Sequence, residues 1–113
     1  MPHASINYAT TLIELGRFEE ARSLMRKMIP VARRVLGHDN DLTLQMRLNY
    51  ARALYEDPGA TLDDLRDAVT ALEDTARIAR RVFGGAHPLT EGVGRELLKA
   101  RAALRARETP PAS

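Results

Sequence analysis

At 113 residues with a net charge of +2, the chain has room for one domain or a short stack of repeating units. It has no cysteine, which excludes disulfides and thiolate metal sites, and no apolar run nears the ~20 residues of a membrane span. With three Tyr, two Phe and no Trp, the core must come from Leu, Ala, Val and Met, the composition of helices packed on helices.

The opening Met1-Pro2-His3-Ala4 lacks the charged and apolar regions of a signal peptide, so a cytoplasmic protein is the default expectation. The first helix is predicted near 4–15 and ends at the turn Leu15-Gly16-Arg17. A second, over 18–36, carries Phe18, Ala21, Met25, Met28, Ala32 and Val35 at spacings of 3, 4, 3, 4 and 3, an apolar seam on one helix face. Pro30 lies inside it; the seam continues on both sides, so a bend is expected and not a break. Gly37 follows as a cap, with Arg33-Arg34 opposing the negative end of the helix dipole.

A third helix is expected over 42–56. After the turn Asp57-Pro58-Gly59-Ala60-Thr61 comes a fourth, 62–83, where Leu65, Ala68, Leu72, Thr75, Ala79 and Val82 repeat the seam at identical spacings. Thr61 and Asp64 form a capping-box pattern at its start, and Gly84-Gly85 ends it. Pro88 suits the first turn of a fifth helix, 88–107. Gly92 and Gly94 weaken that helix by roughly 1 kcal/mol each against Ala, with close helix packing the expected reason. The domain is therefore 1–107, with repeats near 4–37 and 42–84 and a terminal helix 88–107; 108–113 is expected to be a disordered tail.

The chain copies itself. Val31-Ala32-Arg33-Arg34-Val35-Leu36-Gly37 returns as Ile78-Ala79-Arg80-Arg81-Val82-Phe83-Gly84, offset by 47 residues. Asn7-Tyr8-Ala9 returns as Asn49-Tyr50-Ala51, offset by 42, and the difference falls in the enlarged turn at 57–61. The basic unit is two helices with a period of 42.

This period, Leu-Gly-Arg-Phe-Glu-Glu-Ala at 15–21, and Gly-Gly-Ala-His-Pro at 84–88 resemble the tetratricopeptide repeat, most of all its kinesin-light-chain type. The resemblance spans nearly the whole chain as about two and a half repeats. Asn40-Asp41 replaces His-Pro in the first linker, and Glu96-Leu97-Leu98 stands where Asn-Leu-Ala would be usual. The fold implied is all-α, a right-handed α-solenoid of stacked antiparallel helix pairs, five helices in all. The first helix of each pair then lines a concave groove, which implies partner-binding positions at Asn7 and Thr10, at Gln45, Asn49, Arg52 and Glu56, and at Glu96 and Lys99. The middle four also stand on their own spacing of 4, 3 and 4, a polar ridge on a helix whose Tyr50, Ala51 and Leu54 are apolar.

No catalytic constellation, metal site or cofactor loop is found. His38-Asp39-Asn40-Asp41 lacks the Gly and Glu of a calcium loop, and no two His stand at zinc-ligand spacing. Gly84-Gly85-Ala86 has no following Lys, and Ser5 and Ser23 have no group to activate them. The expected function is a non-catalytic scaffold holding a peptide or protein partner. The alternative is a module that closes its stack by homo-oligomerisation. Nucleic-acid binding through Arg95, Lys99, Arg101, Arg105 and Arg107 ranks last, because no aromatic residue interleaves them to stack on bases.

Overall fold

The helices begin and end where side chains and glycines satisfy their free backbone groups. A computed structural model describes residues 2–109, and among these it contains five helices: α1 (Pro2–Glu14), α2 (Phe18–Val35), α3 (Asp41–Tyr55), α4 (Leu62–Phe83) and α5 (Pro88–Glu108). At the start of α4 the Thr61 hydroxyl accepts from the Asp64 N–H at 3.1 Å, while the Asp64 carboxylate accepts from the Thr61 N–H at 3.0 Å. Such a cap is worth about 1 kcal/mol. Asn40 and His87 stand one repeat apart and cap α3 and α5 by the same device: Asn40 Oδ1 accepts from the Leu42 N–H at 2.9 Å, His87 Nδ1 from the Leu89 N–H at 3.1 Å. The Asn-for-His exchange in the first linker thus keeps the cap and changes only its chemistry. Gly37 and Gly84 close α2 and α4 with φ of +103° and +87°, where a Cβ would strain the backbone.

Packing follows the repeat. Each helix lies against the next, and α3 also packs on both α1 and α5, so α1, α3 and α5 form one layer. On the other side, α2 and α4 share no packing contact among the described residues. Helices that touch in one layer and are parted in the other curve the stack, with α1, α3 and α5 on the inside. The chain measures 51 × 30 × 20 Å, and its thinnest dimension is that of two helix layers.

The seams fill the spaces between the layers. Met25 lies among Ile6, Ala9, Ala32 and Met46; Leu72 lies among Ala51, Leu54, Ala68, Val93 and Leu97. Met25 and Leu72 are one repeat apart, and both are 0% exposed. The two long helices therefore occupy equivalent places in successive layers. Burying side chains of this size stabilises by about 1.5–3 kcal/mol each.

Three expectations are corrected. Val35 and Val82, the last rungs of the two seams, are 74% and 42% exposed, because the inward position at that end falls to the next residue, Leu36 and Phe83, which pack against the core. Close packing does not explain Gly92 and Gly94: a Cβ at Gly94 would meet nothing within 4 Å, and one at Gly92 only the flexible end of Arg95. Nothing in the structure accounts for either glycine. The expected tail begins too early, since Glu108 still belongs to α5; residues 110–113 lie outside the described residues. The helix α2 runs unbroken through Pro30, which sits at an exposed position.

Candidate partner-binding surface

The polar side chains of α1, α3 and α5 fall into two groups because α3 packs on both flanking helices. In the first, Thr10 donates its hydroxyl to the Ile6 carbonyl at 3.0 Å, and the Asn49 amide reaches across from α3 to Thr10 Oγ1 at 3.4 Å and the Ile6 carbonyl at 3.5 Å. Asn49 is only 5% exposed. That corrects the reading of 45–56 as an open ridge: Asn49 is a tie between α1 and α3, whereas Asn7 is exposed and Gln45 half-buried.

The second group is ionic and joins α3 to α5. Arg52 Nε donates to Glu56 Oε2 at 2.7 Å and lies 4.0 Å from Glu96 Oε1. Glu96 also accepts from the Tyr55 hydroxyl and, at 3.4 Å, from Lys99 Nζ. Four of the eight expected residues (Arg52, Glu56, Glu96 and Lys99) thus converge, while Asn7 and Gln45 stand apart from them. Burial works against the Arg52 charge, but the hydrogen bond and charge of Glu56, with the charge of Glu96, outweigh it and raise the guanidinium above its ordinary value. Burial first, and then the bond to Glu96, lifts the Tyr55 phenol well above its usual range, so it stays a donor at neutral pH.

Tyr55 is the member that sequence reasoning missed. It lies one turn beyond Arg52 on α3, yet an aromatic at that register reads as core, and only α5 supplies the carboxylate that makes it a hydrogen-bond donor. A second missed contact pins the end of α3: Arg22, from α2, donates to the Ala53 carbonyl at 2.8 Å and to Asp57 at 3.1 Å. Asp57 also accepts from the Gly59 N–H at 2.8 Å, and that bond, ahead of Arg22, holds its carboxyl below the ordinary value.

The exposed edge of this surface offers both signs of charge, with Lys99 and Glu56 reaching solvent over the partly covered Arg52. An Arg fork has five N–H donors, of which the bond to Glu56 uses one, so it can still accept a carboxylate. No helix is long and apolar enough among the described residues to cross a membrane.

No curated protein and no solved structure matches the chain. Models of the tetratricopeptide repeat, of the kinesin-light-chain-like type, match residues 1–58 and 60–89. With paired helices stacked at the period those repeats require, the chain belongs to the tetratricopeptide repeat family.

Proposed function

We propose that the layer formed by α1, α3 and α5 holds a peptide or protein partner, and that the chain does no chemistry of its own. Tetratricopeptide repeats generally mediate protein–protein interactions. The contact falls on Asn7, Thr10, Gln45, Arg52, Glu56, Glu96 and Lys99, with Asn49 bracing the helices beneath. The observation that carries it is the Arg52–Glu56–Glu96–Lys99 group, charged side chains from two repeats meeting at the edge of one layer. Such a group gives orientation and partner choice more than raw affinity.

The test is capture from a cell extract by the immobilised chain, quantified against the Arg52→Ala/Lys99→Ala double variant. Proteins held by this surface fall at least about fivefold in the variant, about 1 kcal/mol of binding, while the melting temperature holds. Unchanged capture by a folded variant removes the assignment.

A second reading is self-association, favoured by Tyr8. It occupies the register of Tyr50, which packs beside α2, yet Tyr8 is 54% exposed. Sedimentation over a concentration series decides: a monomer throughout eliminates this reading.

A further inference from the structure

The opposite side of the stack carries a cleft with different chemistry. Arg26, Ile29, Pro30 and Arg33 follow at spacings of 3, 1 and 3, so they share one face of α2. The first three, with Tyr50 of α3, line a mostly apolar cleft of about 220 Å³. The Arg26 guanidinium lies 6.0 Å from the centroid of the Tyr50 ring. Because α2 and α3 run antiparallel, Arg33 at the far end of the face comes near Arg47, one turn from Tyr50, and the two positive charges oppose each other.

These cations are not held in salt bridges. The helix α2 carries no carboxylate after Glu20. Among the described residues none of Arg26, Arg33 and Arg47 forms an ion pair. Arg47 Nη1 is buried with no hydrogen-bond partner. Asp74 attracts Arg47 more than Arg33 repels it, but its carboxylate is bonded to Arg77 and makes no hydrogen bond to the Arg47 guanidinium. An unpaired buried guanidinium N–H is costly, by about 1–3 kcal/mol.

One repeat on, the same cleft is paired differently. The positions equivalent to Arg26 and Pro30 are Glu73 and Arg77; Glu73 accepts from Arg101 at 3.0 Å, and Arg77 donates to Asp74. Only Arg80, the equivalent of Arg33, is left without an ion pair there among the described residues, whereas the α2–α3 cleft has no acidic lining residue at all.

Its layout specifies an occupant. Arg33 follows Arg26 by seven positions on α2, about 10 Å along the axis at ~1.5 Å per residue. An extended peptide of the polyproline II form, with three residues per turn and ~3.1 Å per residue, covers that span in about three residues and returns the fourth side chain to the same side as the first. We propose that the α2–α3 cleft is a second docking surface, which takes an extended segment of a partner protein bearing two carboxylates three residues apart with an apolar side chain between them. The carboxylates meet Arg26 and Arg33, with the charge of Arg47 beneath Arg33, and the apolar group lies on Ile29, Pro30 and Tyr50. A nucleic-acid strand fits less well, since a single tyrosine offers no succession of aromatic faces on which bases could stack.

The experiment is fluorescence anisotropy with a fluorescein-labelled Gly-Glu-Leu-Gly-Glu-Gly peptide, its Gln-for-Glu counterpart and a dodecathymidylate strand, at low salt. The glutamate peptide binds at least about tenfold tighter than the glutamine one. Arg33→Gln and Arg47→Met each weaken it by about fivefold or more, whereas Arg95→Gln, the same charge change on α5, stays within about twofold. Melting curves accompany each variant, and Arg47→Met does not lose stability, because the group it removes is unpartnered. Equal binding of both peptides, an equal loss in all three variants, or tighter binding of the oligonucleotide overturns the proposal.

Discussion

Replacing Asn49 by Ala separates a buried tie from an open binding position. The amide is 5% exposed and makes two long hydrogen bonds, 3.4 and 3.5 Å, so each stands near the low end of the ~0.5–1.5 kcal/mol range. The Ile6 carbonyl keeps the Thr10 hydroxyl at 3.0 Å, so no buried group loses its last partner and the full desolvation penalty does not arise. A small void between α1 and α3 adds to the loss, while the better helix propensity of Ala returns about half a kcal/mol. The sum is a destabilisation of about 1 kcal/mol. In urea unfolding followed by circular dichroism, that moves the midpoint down by roughly 0.5 M at a slope of about 2 kcal/mol/M, with the slope unchanged. By contrast, Arg52→Ala removes a partly exposed pair with Glu56 within α3 and a 4.0 Å contact with Glu96 of α5, and costs about 1 kcal/mol or less. An unmoved midpoint for Asn49→Ala would place the amide in solvent and refute the tie; a loss above about 3 kcal/mol would mean bonds far stronger than their lengths allow.

Leu72→Ala empties the centre of the second layer and lowers stability by about 3–5 kcal/mol, while Val35→Ala, on the same seam pattern but exposed, changes it by less than about 0.5; urea midpoints compare them directly. Gly94→Ala stabilises by about 1 kcal/mol, since its Cβ enters open space within a helix, and a melting temperature that falls instead would reveal a contact the helix faces do not show. Asp57, whose folded-state carboxyl is held below its ordinary value, contributes stability that is fully present above about pH 4 and lost as pH falls through the folded value. Asp57→Asn therefore flattens the acid limb of a stability–pH curve below about pH 4, and an unchanged limb would remove Asp57 as its source.

Much of the architecture was legible because it is local. Helix periodicity, the caps at Thr61 and Gly37, and the copy of 31–37 at 78–84 need only neighbours in the chain, and the 47-residue offset placed Met25 and Leu72 in equivalent layers. Burial was not local. Asn49 and Arg52 share a polar face of α3, yet one is enclosed by α1 and the other stays partly open beside α5. The seam reads identically from Met25 to Val35, but only packing contact with neighbouring helices decides that Val35 is bare. The partners, Glu96 for the Tyr55 hydroxyl and Asp74 as the nearest attraction for Arg47, belong to helices distant in sequence. Periodicity selects which face of a helix turns inward; how far that face is covered, and by which charge, depends on the neighbours that curvature brings near, and the tertiary structure alone supplies them.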